Sequence, residues 1–180
     1  AMRYGTPALP DVLSGLRQQG ITQILLLPMY PQYSATTTAS VLDAAFSWSQ
    51  QTRHVPEWRM VNRFYSHPDY IAALANSIRR HWQQHPRGEK LILSFHGIPM
   101  RNIQLGDPYA AECKHTTRLL TQALALEPHE VMMTFQSRFG KAQWLQPYTQ
   151  PTVEQLAKNG VKSVDMVCPG FVADCLETLE

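Results

Sequence analysis

The run "LILSF" at Leu91 to Phe95 reads as a strand covered on both faces, and short runs of the same kind, rich in Ile, Leu, Val and Met, recur along the chain. Longer segments of helical period separate them. Strands covered on both faces belong to parallel sheets, and parallel neighbours need crossover connections, usually helices. The pattern therefore restricts the fold to the α/β class. Strands are expected at Ile21 to Met29, Arg59 to Phe64, Lys90 to Phe95, Val131 to Phe135 and Ser163 to Cys168. Helices are expected at Pro10 to Gln19, Thr38 to Gln51, Pro68 to Gln84, Pro108 to Leu126, Thr152 to Asn159 and from about Ala173 onward.

The segment "LRQQGITQI" resembles "LAKNGVKSV": Leu16, Gly20, Ile21 and Ile24 match Leu156, Gly160, Val161 and Val164. Any joint of helix, glycine and strand shares this pattern, so a true repeat and a common joint both remain open. A true repeat implies two similar lobes, each a parallel sheet flanked by helices. The polar segment Gln83 to Lys90 would divide them, leaving residues 1–86 as the C-terminal part of a first lobe and 87–180 as most of a second. Both ends would then be truncated, and the opening "AMRYGTP" likewise suggests a piece of something longer.

Composition removes several function classes. With 44% hydrophobic and 17% charged residues, and no apolar run near the ~20 residues of a membrane span, a soluble globular protein is expected. The formal charge of +2 comes from scattered basic residues, which form no stripe to follow a phosphate backbone. No nucleic-acid partner is expected. Cys113, Cys168 and Cys175 form neither a disulfide framework nor a zinc knuckle, which favours a reducing compartment.

Ligands of open parallel sheets bind outside the carboxyl ends of the strands. Those ends carry Tyr30 to Ser34, then His96, then Gln136, Ser137 and Arg138, and finally the approach to Asp174 and Glu177. Imidazole can take a proton near neutral pH or bind a borderline metal, although a strand-end histidine can also be purely structural. Asp174 and Glu177 share a helix face and could serve chemistry or simply favour the positive helix end. Tyr30, Tyr33 and Trp144 are core aromatics or a wall for a flat, apolar ligand. His81 and His85 have metal-pair spacing but read as solvated at a helix end, and Thr36 to Thr38 read as a helix start rather than a phosphate loop. Cys113 and His115 have no metal-ligand spacing.

Taken in order, "AMRYG", "PMYPQYSATT", "SFHGIP", "GDPYAAEC", "TFQSRFGKAQWLQPYT" and "CPGFVADCLETLE" resemble the ferrochelatases, above all proteobacterial members, over almost the whole length. These enzymes insert ferrous iron into a porphyrin in the last stage of heme synthesis. The resemblance implies a two-lobed, chelatase-like fold. It implies that His96 lies beside the pyrrole nitrogens and that Glu177 faces it, the two serving as catalytic residues and metal ligands. It further implies that Arg3, Tyr30, Ser137, Trp144 and Asp174 line the porphyrin cleft or the metal path. Cys175 departs from relatives with histidine there, which puts a second metal ligand at that position in doubt. A further acidic residue beyond Glu177 and an N-terminal lip ahead of Arg3 would lie outside this chain.

The substrates implied are protoporphyrin IX and ferrous iron, with no required cofactor. The implied location is the cytoplasm, and so apolar a substrate leaves peripheral contact with the inner membrane open. Oligomeric state is not legible, nor is whether His96 acts first as base or as metal ligand. Two other readings stay open: a chelatase for coproporphyrin or sirohydrochlorin, and a non-catalytic tetrapyrrole or metal carrier.

Overall fold

The computed structural model describes residues 1–179, so Glu180, which closes the last quoted motif, lies outside the described residues. The chain divides into two compact units, Ala1–Arg63 and Phe64–Glu180.

The first unit contains α1 (Leu9–Gln18), β1 (Gln23–Leu26), α2 (Ser40–Gln50) and β2 (Glu57–Met60), with β1 and β2 parallel and Ile24 opposite Trp58. Its core is Leu9, Leu13, Ile24, Leu26, Ala45 and Trp48. Trp48 can be buried because its indole N–H donates to Ser14 Oγ at 3.0 Å, and its ring meets Trp58 edge-on. A π-helical turn, Ala35–Ala39, precedes α2 and is capped by Ser34, which accepts from the Thr36 N–H at 3.2 Å. The threonine run is thus a helix start of unusual pitch.

The second unit contains α3 (Pro68–Gln84), β3 (Lys90–His96), α4 (Met100–Gln104), α5 (Tyr109–Ala123), β4 (Val131–Gln136), α6 (Thr149–Lys158), β5 (Val164–Val167) and α7 (Leu176–Leu179). Its sheet is parallel in the order β4-β3-β5. Central β3 is buried from Leu91 to Phe95, as its run of apolar residues predicts. The core extends through Ala75, Ile78, Cys113, Leu120 and Phe135. Ala75 and Ile78 of α3 belong to this core, and α3 therefore packs within the second unit.

The two similar segments end their helices alike. Ile21 N–H donates to Leu16 O and Val161 N–H to Leu156 O, each at 3.1 Å, while Gly20 and Gly160 donate to Arg17 O and Ala157 O. Both glycines have positive φ, 77° and 90°, the left-handed turn that closes a helix with least strain at glycine. No described helix is long and apolar enough to cross a membrane.

Candidate active site

His96 is the last residue of β3 and sits opposite Gln136, the last residue of β4. The strand is hydrogen-bonded on both edges over much of its length, so the imidazole projects from a fixed base. Its Nδ1 lies 2.7 Å from the main-chain oxygen of Gly97. A carbonyl can only accept, so Nδ1 carries the proton and Nε2 of the neutral ring holds the lone pair. Trp144 and Phe171 flank the ring, each with its centroid 6.3 Å away.

Trp144 is set by the chain that crosses the strand ends. Pro99 and Trp144 form an antiparallel bridge, Leu145 N–H donates to Ile98 O at 3.0 Å, and Phe135 N–H donates to Pro147 O at 2.8 Å. Gly97 lets the indole approach: a Cβ there would stand 3.1 Å from Trp144 Cε3 and 3.0 Å from Gln136 O. Among the described residues, the indole Nε1 is buried without a hydrogen-bond partner.

Beside this strand end opens a cleft of about 750 Å³, within the usual range for small-molecule pockets. Gln136, Ser137, Arg138, Tyr148, Glu177 and Thr178 contribute to its wall. His96 and Trp144 do not. Ser137 turns the chain out of β4 with φ 65°, a strained conformation for a residue other than glycine. Arg138 lies over the Tyr148 ring at 5.2 Å.

Glu177 is exposed on α7. Its carboxyl is held below the usual carboxylate range, first by a hydrogen bond with the Cys175 thiol, then by its own main chain, with a weaker pull from His96. Asp174 is exposed and precedes α7, so it shares no helix face with Glu177; it lies 3.4 Å from the Thr178 hydroxyl. The Cys168 thiol is pushed up by burial and then by Cys175 and Asp174. The donors with relevant chemistry are therefore an imidazole nitrogen and an ionised carboxylate. Among the described residues, no three His, Cys, Asp or Glu side chains converge on a metal position.

Arg3, Tyr30 and Tyr33 lie in the first unit. Arg3 donates through Nε to Ser40 O at 2.8 Å and to Ser40 Oγ at 3.0 Å, with its guanidinium over the Tyr4 ring. Tyr30 follows β1 with 36% of its surface exposed, and the Tyr33 ring lies under Arg63. His81 and His85 are exposed at the end of α3, as their solvated reading expects. Their rings lie 4.6 Å apart, and His81 Nε2 is 3.8 Å from Asp165 Oδ1. Cys113 is buried in the core, which pushes its thiol pKa up, and His115 bonds with Arg118.

Sequence reading missed a polar group beneath the site. The hydroxyls of Ser94 and Thr149 lie 2.8 Å apart, and Thr149 donates to Thr134 at 2.9 Å. Ser94 also donates to Gln136 Oε1. Phe171 was missed as well. Its only sequence signal is its place between Pro169 and Cys175, in a segment whose Pro169 carbonyl accepts from the Tyr70 hydroxyl.

The ferrochelatase family model matches residues 1–180. The ferrochelatases of Methylibium petroleiphilum and Janthinobacterium sp. are each 57% identical over 180 residues, and that of Azoarcus sp. is 56% identical. This chain is covered in full in each case, against 50%, 49% and 50% of theirs, so it spans about half the length of the curated relatives it matches. With the family model matched from end to end and every expected α/β strand present in parallel pairs, the chain belongs to the ferrochelatase family.

Proposed function

We propose that the full-length protein carrying this chain is a ferrochelatase, which inserts ferrous iron into protoporphyrin IX to form protoheme in the terminal step of heme biosynthesis. The observation that carries the reading is the His96 tautomer. With Nδ1 committed to Gly97 O, Nε2 is the basic nitrogen, in a unit that also holds the ionised carboxylate of Glu177.

A free-base porphyrin is nearly planar and must lose two N–H protons before its four nitrogens can hold a divalent ion. In this reading His96 Nε2 accepts one pyrrole proton. The resulting imidazolium keeps its Nδ1–H bond to the Gly97 carbonyl, which stabilises the added charge. Glu177 provides carboxylate for the second proton and for passage of the cation, with Asp174 preceding it. His96 also serves as a metal ligand whenever it is unprotonated, since the two roles alternate on one lone pair.

Arg3, Tyr30, Ser137 and Trp144 are proposed porphyrin contacts, and burial of the macrocycle against such walls would offset the strain of bending it. Iron enters as substrate, and no resident cofactor is required. The proposed location is the cytoplasm, with peripheral contact at the inner membrane.

The test is anaerobic loss of protoporphyrin fluorescence on adding ferrous iron to the full-length protein and to its His96→Ala variant. Turnover by the wild type alone supports the reading. Stoichiometric porphyrin binding without turnover favours a carrier, and preference for coproporphyrin or sirohydrochlorin in competition reassigns the substrate.

A further inference from the structure

We infer that Gln136 is a positioning residue that holds the Glu177 turn against the strand end bearing His96. The inference rests on the reading of His96 and Glu177 given above. Gln136 stands opposite His96 in the β3–β4 register, and it touches the supports of both groups. Its main-chain carbonyl accepts from the Gly97 N–H at 2.9 Å, and the other side of Gly97 is the carbonyl that takes the His96 Nδ1 proton. Its side-chain Nε2 donates to the main-chain carbonyl of Glu177.

The amide can work in one orientation only. The Glu177 carbonyl cannot donate, so the NH₂ end must face it. That leaves Oε1 for two groups able to donate, the Ser94 hydroxyl and the Cys168 thiol, the latter at 3.6 Å. Ser94 is fully buried beside Thr149, and its hydroxyl donates to the oxygen end of the amide that the Glu177 carbonyl has oriented.

Among the described residues the other hydrogen bonds of segment 174–179 run within the segment, through Thr178 to Asp174 and Cys175 and between the Glu177 carboxyl and Cys175. Gln136 links the sheet to the turn that carries the carboxylate. Without it, Glu177 would lose a fixed distance to the base, while the aromatic and main-chain features around His96 would remain.

The test uses the full-length protein and two near-isosteric variants. Gln136→Glu keeps an oxygen for Ser94 but sets a carboxylate against the Glu177 carbonyl, and Gln136→Leu removes both bonds. For each we expect kcat for metal insertion to fall roughly 10- to 100-fold, the range expected from small misplacement of a reacting group. KM for porphyrin should stay within about twofold, because the contacts assigned to the macrocycle are untouched. Hydrogen exchange should show faster exchange at 174–179 with β3 still protected. Ser94→Ala should lose less activity, since the amide still reaches Glu177.

Wild-type kcat in Gln136→Glu, or unchanged exchange at 174–179, overturns the inference. Equal loss of protection throughout β3 overturns it too, by making the residue merely structural. If the wild type inserts no metal the functional reading fails, and the exchange comparison still decides whether the tie exists.

Discussion

His96 donates a hydrogen bond from Nδ1–H to the carbonyl of the residue that follows it, Gly97, across 2.7 Å. The pairing leaves Nε2 as the only basic nitrogen of the neutral ring. Under the proposed function, replacing His96 with Ala in the full-length protein should therefore reduce metal insertion by about 100-fold or more, the scale of a lost general base, with porphyrin affinity changed only a few-fold. Stopped-flow metal insertion and fluorescence titration measure the two separately. Near-normal insertion would remove His96 from the mechanism.

Gly97 stands where a side chain has no room. An added Cβ would press on Gln136 O at 3.0 Å and on the Trp144 ring at 3.1 Å. Gly97→Ala is expected to cost about 1–3 kcal/mol, as overpacking does. Urea unfolding gives the stability change, and a shifted tryptophan emission maximum would report displacement of Trp144. An unchanged midpoint and spectrum would mean that the strand ends relax freely.

Asp165 is a structural carboxylate. Its side chain is 14% exposed and accepts from Trp82 Nε1 at 2.6 Å and from the Gly88 N–H at 2.9 Å. Asp165→Ala strands both donors and should destabilise the protein by roughly 1–3 kcal/mol. Thermal or urea unfolding checks this, and a variant as stable as wild type would show that water replaces the carboxylate.

Glu130 gives a pH-dependent contribution of known sign. Its carboxyl is held below the usual range, first by the Glu127 N–H at 2.7 Å and also by Arg87. A carboxyl lowered on folding contributes stability that is fully present above its unfolded pKa and is lost as pH falls through the folded value. Wild type should thus be more stable than Glu130→Gln at neutral pH, and the two should converge on acidification below the ordinary glutamate range. Urea midpoints at several pH values test it, and a difference that persists in acid would contradict the assignment.

The sequence was most readable where one local rule dominated. Pro68 to Gln84 is helical end to end because proline opens it and apolar spacing sustains it, and the apolar run of β3 announced a central strand. Local rules blurred elsewhere. The helix expected from Thr38 begins as a π turn, and the strand expected from Arg59 runs instead over Glu57–Met60, in register with β1. Helix α4 is too short for periodicity to show it, and the last helix starts at Leu176 rather than near Ala173. Within the site, His96 was legible because a polar residue ended an apolar run. The role of Gln136 was not, because its partners Ser94 and Glu177 lie far from it in sequence and only the fold brings them together.

The order β4-β3-β5 gives the imidazole and the carboxylate unequal evolutionary freedom. A substitution that moves His96 must disturb a strand held by neighbours on both sides, so most such changes would be purged as folding defects before their chemistry was tested. Glu177 is exposed on α7, outside the sheet, where substitution costs the scaffold little. Under the proposed function, descendants of this sequence could therefore retune which cation is accepted by editing the rim while inheriting the base unchanged.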